Sequence, residues 1–126
     1  MIKLLFSCLL FCCILLGACK GQIEETPDKC YKGRLSLKGI CNNYVIELVE
    51  GSIDTSKVEL IWKNPETGKT YKNAFALTNK CALPTNLKEG DEFLFQIDAT
   101  QTSAGCVTCS AFSPTPKKSL PISICP

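Results

Sequence analysis

Ten cysteines and no histidine set the chemistry open to this chain of 126 residues. Without imidazole the chain has neither the commonest general base nor the commonest metal ligand. It also lacks the usual partner that activates a nucleophile. No glycine-rich phosphate loop and no G-x-S-x-G elbow occurs. The carboxylates Glu47, Glu59, Asp91 and Asp98 alternate with apolar positions and read as solvent-facing. A two-carboxylate glycosidase also needs a cleft that so small a domain rarely forms. The sequence therefore points away from an enzyme and calls for no cofactor. The cysteines could carry a lipid, form disulfides, hold zinc or exchange thiols. Cys106-Val107-Thr108-Cys109 has C-x-x-C spacing, but it lacks the strand-to-helix setting and the nearby cation that depress a thiolate pKa. Cys41, Cys81, Cys106 and Cys109 could form a zinc set, but a second C-x-x-C knuckle is missing,. Both readings rank behind structural disulfides.

The N-terminus decides which cysteines are available. Lys3 supplies a positive start, residues 4–16 are apolar apart from Ser7, and Leu16-Gly17-Ala18-Cys19 follows. That is the pattern of a secretory signal peptide. The apolar run falls short of the roughly 20 residues a transmembrane helix needs, and Lys20, Gln22, Glu24 and Glu25 come next. Leu-Gly-Ala-Cys resembles the bacterial lipobox. The resemblance implies that the Cys19 thiol takes a thioether-linked diacylglycerol and becomes residue one after cleavage. Cys8, Cys12 and Cys13 have no small-residue pair before them and should leave with the leader. One acyl chain holds a protein to a membrane only marginally, whereas two or more anchor it stably. The expected organisation is a signal peptide over 1–18, a lipidated cysteine and flexible tether over 19–29, and a single domain over 30–126.

The mature chain is one domain's worth of sequence. Of 14 basic residues only Lys3 leaves with the leader, against 12 acidic ones, so the balance stays near neutral. Positive charges are scattered, with only Lys117 and Lys118 adjacent. That pair reads as a solvated turn, and no basic stripe argues for nucleic acid. The stretch 20–29, KGQIEETPDK, is polar and aperiodic, as a tether would be,.

From Tyr31 onward the apolar period is two, which predicts strands. Leu35 and Leu37 form one set, and Tyr44, Ile46 and Leu48 the next, with Asn42-Asn43 between them suited to a tight hairpin,. Val58, Leu60 and Trp62 should face inward, then Tyr71, Phe75 and Leu77 after the turn at 64–68. Residues 78–92 look irregular, with room for one short helical turn. Phe93, Phe95 and Ile97 make a further strand, 106–112 a candidate strand, and Leu120, Ile122 and Ile124 a last one that Pro121 confines to an edge,. The aromatics Tyr44, Trp62, Tyr71, Phe75, Phe93 and Phe95 sit at strand spacing and read as core,. The expected class is all-β: a small sandwich or a partly open, OB-like barrel of six to seven short antiparallel strands, stapled by disulfides. The stretch 87–97, LKEGDEFLFQI, resembles a segment common in oligonucleotide/oligosaccharide-binding barrels.

Six cysteines remain after Cys19 is lipidated: Cys30, Cys41, Cys81, Cys106, Cys109 and Cys125. The leader places them where disulfides persist. Six permit fifteen connectivities, among which sequence does not choose. Residues three apart in a strand are separated by roughly 10 Å, so Cys106 and Cys109 can pair only if Val107-Thr108 forms a turn. The preferred set is Cys41–Cys81, Cys106–Cys109 and Cys30–Cys125.

The lipobox, Tyr31-Lys32-Gly33, Cys41-Asn42-Asn43-Tyr44, Trp62 followed by Thr67-Gly68-Lys69-Thr70-Tyr71, and Gly90-Asp91-Glu92-Phe93 resemble a group of small lipoproteins of Bacteroidetes-type Gram-negative bacteria. The group brings no established activity. The resemblance implies anchoring to the outer membrane through acyl groups (diacylglycerol and palmitate) on Cys19, facing the periplasm or outward. The leading functional expectation is an envelope binding or interaction module with an envelope protein or a glycan as partner, displaying loops 51–56, 64–69 and 98–105. The alternative is a structural or assembly lipoprotein that works through an edge strand without a small ligand. A thiol–disulfide component using Cys106 and Cys109 is the third reading.

Overall fold

The structure, a computed structural model, describes residues 29–126. The leader, Cys19 and most of the tether lie outside the described residues. Seven strands follow in chain order: β1 Tyr31–Lys38, β2 Tyr44–Glu50, β3 Glu59–Lys63, β4 Thr70–Leu77, β5 Glu92–Ile97, β6 Ser119–Leu120 and β7 Ile122–Ile124. They form one sheet in the order β3-β4-β2-β1-β5-β7, and β6 pairs with β4. Every pairing is antiparallel except the parallel β4–β6 contact.

Pro121 explains the last two strands. It has no N–H to donate to a ladder, and it falls where one short strip changes partners. The Leu120 carbonyl accepts from Thr78 N–H at the end of β4, whereas the Pro121 carbonyl accepts from Asp98 N–H at the end of β5. The expected single strand is thus two. Because β4 and β5 flank the β2–β1 pair on opposite sides, this strip draws the ends of the sheet around one core. Leu35, Ile46, Phe75, Leu77, Phe95, Leu120 and Ile122 all belong to that core. The result is the partly open barrel, not two stacked sheets. Asn79 extends the closure: its Nδ2 donates to the Ile122 carbonyl (2.7 Å) and its Oδ1 accepts from Ile122 N–H (3.0 Å). The side chain is buried and stands in for one more residue of β4.

Phe95 sits at the centre of the barrel. Its ring lies 5.6 Å from those of Tyr31 and Phe75 and 6.0 Å from that of Phe93. Gly33 makes room for it, since a Cβ there would come within 2.9 Å of the Phe95 ring. Phe95 is fully buried, so Phe95→Ala should cost about 3–5 kcal/mol. Urea unfolding with the disulfides intact would measure this, and a loss below about 1 kcal/mol would contradict this core.

A second apolar cluster lies apart from the first: Val45, Trp62, Tyr71 and Ala74, with Leu37 packed against it. Period-two reading places Tyr71 on the same side as Phe75 and Leu77. The structure separates them because Asn73 takes a left-handed conformation (φ 48°). That conformation is cheap for asparagine and interrupts the two-residue alternation of extended backbone. Tyr71 and Ala74 therefore join Trp62, while Phe75 and Leu77 enter the barrel.

Other expectations change in the same local way. Val58 and Trp62 are buried, but Leu60 is 56% exposed. It lies on β3, the outermost strand of the sheet, with nothing to cover it. Stretch 106–112 is not a strand. Stretch 78–92 contains no helical turn before β5. Among the described residues the one 3₁₀ turn is Ile40–Asn42 in the β1–β2 connection, and its left-handed residues are Cys41 and Asn42 (both φ 57°), not Asn43.

Across β2, β1 and β5 the outer face carries ion pairs: Lys32–Glu50 (3.2 Å), Lys32–Glu92 (3.0 Å) and Arg34–Glu92 (2.8 Å). Hydrogen bonds from Arg34, and next from Lys32, hold the Glu92 carboxyl below its usual range. These groups are solvated, and such pairs add little to stability.

Candidate functional site: a loop arch held by two disulfides

Three connections gather around the 3₁₀ turn: 39–43 after β1, 78–91 after β4 and 98–118 after β5. Disulfides decide their arrangement. Cys30 pairs with Cys125 (Cα–Cα 6.4 Å), tying the start of β1 to the end of β7, as expected. The other two expected pairs are corrected. Cys41 bonds Cys109 (Cα–Cα 4.9 Å) and Cys81 bonds Cys106 (Cα–Cα 5.7 Å). The reason is the turn condition. Val107-Thr108 makes no turn, and Cys106 and Cys109 each reach a different neighbouring loop. The third connection is thereby pinned at two points three residues apart, once to each of the other two.

Polar contacts continue the attachment. Ser103 Oγ donates to the Thr78 carbonyl (3.0 Å) and accepts from Lys80 N–H (3.3 Å). Lys80 Nζ donates to Asn43 Oδ1 (2.9 Å), linking the first two loops directly. At the start of the arch, Asp98 accepts from Thr100 (hydroxyl and backbone N–H) and from the Gln101 amide. These bonds, with the Thr100 hydroxyl foremost, hold the Asp98 carboxyl below its ordinary value. At the far end Ser113 lies against Gly39, where a Cβ would collide with Ser113 Oγ and with the Asn43 carbonyl.

The held segment itself buries almost nothing. Residues 101–112 are exposed throughout except Cys106, which is half-buried. Val107 is 92% exposed, Phe112 79% and Ile40 60%. Beyond Phe112 the chain dips inward at Pro114 and Pro116, both buried. There a groove of about 450 Å³ opens between the 112–117 stretch and β3, lined by Glu59, Trp62, Pro65, Phe112, Pro114 and Lys117 among others.

No protein-family model, no curated protein and no solved structure matches the chain.

All six cysteines of the described residues are in bridges. The C-x-x-C pair forms no bond of its own, and among the described residues no group of three or more His, Cys, Asp and Glu is placed to hold a metal. No helix of the described residues is long and apolar enough to cross a membrane. Cys19 lies outside them. Of the loops nominated from sequence, 98–105 begins the arch, and Pro65 of 64–69 reaches the groove rim. Ile40, Val107 and Phe112 were not nominated. Val107 and Phe112 fall within the expected strand 106–112, in a Ser-, Thr- and Pro-rich stretch.

Proposed function

We propose that this chain is a lipid-anchored envelope lipoprotein that acts as an interaction module. Its arch 101–112 and the neighbouring turn Ile40–Asn42 are the contact surface. One observation carries the reading. Two of three disulfides, Cys41–Cys109 and Cys81–Cys106, fix the shape of a segment that is itself almost wholly exposed. A core does not need such a segment held. A binding surface does, because ordering it beforehand removes entropy that association would otherwise cost. The three exposed apolar side chains, Ile40, Val107 and Phe112, suit a protein partner better than a glycan, since aromatic and aliphatic anchors are what desolvate in protein interfaces. The leader and Cys19 support placement at the outer membrane. A structural or assembly role draws on a different observation, the uncovered outer edge of β3.

The test is photo-crosslinking in intact cells with a photoactivatable phenylalanine analogue at position 112 or 107, and at the exposed Glu66 as control. A discrete adduct from 112 and 107, absent from 66, is expected. Equal labelling at all three positions, or none at any, would refute the arch as the contact surface.

A further inference from the structure

The geometry points to a dimer of this chain, made by antiparallel pairing of β3 with β3 of a second copy about a two-fold axis at Ile61. This is independent of lipidation.

β3 is the last strand of the sheet and has β4 on one side only. The turn bond from Asn64 N–H to the Lys69 carbonyl (2.8 Å) fixes which peptide groups face β4. Asn64 points its groups inward, so by the two-residue alternation of a strand Trp62 and Leu60 do too. Glu59, Ile61 and Lys63 therefore turn their N–H and C=O groups to the open edge. Among the described residues, no hydrogen bond reaches those backbone groups from that side. Natural edge strands are usually blunted by central charges, proline or a bulge. Here the charges stand only at the ends of Glu59-Leu60-Ile61-Trp62-Lys63. The middle presents Ile61, 70% exposed, and Leu60.

The strand is complementary to itself. Centred on Ile61, antiparallel pairing sets Ile61 against the second copy's Ile61 and Glu59 against the second copy's Lys63, twice over. Leu60 meets Trp62 on the other face. The three directly opposed pairs at 59, 61 and 63 are the ones whose peptide groups point outward, so each can exchange two N–H···O=C bonds. Directly opposed side chains share a face, so the Ile61 pair is flanked on both sides by Glu–Lys pairs. A slip by two residues in either direction loses both ion pairs and sets Ile61 against Lys63 or Glu59, which fixes the register. The charge pattern thus selects a second copy over an unrelated strand. Lys117 N–H already holds Glu59 Oε1 (2.7 Å), which steadies the carboxylate at the edge and leaves its other oxygen for the lysine. The pairing is isologous and closes on itself, so it ends at two copies.

The test is sedimentation of the full chain in a non-ionic detergent over a wide concentration range, with charge variants. Glu59→Lys and Lys63→Glu each replace two attractive pairs by two like-charge pairs and should weaken association about tenfold or more. The double variant E59K/K63E restores opposite charges in the same register and should regain association. Lys63 is exposed and makes no hydrogen bond or ion pair within the described residues, so Lys63→Glu reads the interface without disturbing the fold. Glu59→Lys, which loses the Lys117 bond, is checked by its unfolding curve. A chain that stays monomeric throughout the range, a dimer indifferent to Lys63→Glu, a double variant that fails to recover, or association that runs on past two copies would each overturn the proposal.

Discussion

Cys19→Ser is expected to move the protein from the membrane fraction to the soluble fraction almost completely. The anchor in this account is wholly the lipid on that one sulfur. Each buried methylene contributes about 0.8 kcal/mol, so a diacylglycerol with a further acyl chain holds firmly where a single chain would not. Serine offers no thiolate for the thioether. Among the described residues no helix is long and apolar enough to span a bilayer. A variant that still sediments in full with membranes would end the lipid-anchor reading.

The second large effect is on stability. Replacing Cys30 and Cys125 together by serine should cost about 4–5 kcal/mol on the loop-entropy model, because that bridge closes 95 residues. This is comparable to the whole stability of many small domains. It also joins the two strands that flank β5. Cys41–Cys109 and Cys81–Cys106 span 68 and 25 residues, and the same model assigns them about 3–4.5 kcal/mol. Their real contribution to the cooperative fold should be smaller. An arch released from one bridge can loosen without pulling apart Phe75, Phe95 and Ile122, since its own residues bury so little. Guanidinium unfolding of the two kinds of double-serine variant would check the order. Arch-bridge removal that costs as much as loss of Cys30–Cys125 would mean that the arch is part of the core.

How much of this was legible depends on the range of the physics involved. β1, β2, β4 and β5 could be read because alternation is a property of neighbours, as with Ile46 and Leu48 or Phe93 and Phe95. The expected all-β class, a small sandwich or a partly open barrel, follows from counting such strands. The face of Tyr71 was not legible, because one left-handed residue, Asn73, shifts the alternation and leaves only an asparagine as its trace. Leu60 reads as core by period and fails because exposure at a sheet edge depends on strand order. The disulfides divide in the same way. Cys30–Cys125 was readable because the ends of a small domain commonly meet. Cys41–Cys109 and Cys81–Cys106 depend on which loops the closed sheet brings side by side, a non-local fact. The arch was hidden for the opposite reason. Val107 and Phe112 look like members of a weak strand, and only the absence of any ladder from 106 to 112 shows that they are held out.

The most direct test is mass analysis of a non-reduced tryptic digest of the protein extracted from membranes. The expected result is an acylated N-terminal peptide that begins at Cys19, and two disulfide-linked species. One joins peptides 30–32 and 119–126, and the other holds peptides 39–57, 81–88 and 89–117 together. An unmodified N-terminus, or peptide 89–117 closed on itself with 39–57 joined to 81–88 alone, would contradict the lipid anchor or the doubly pinned arch respectively.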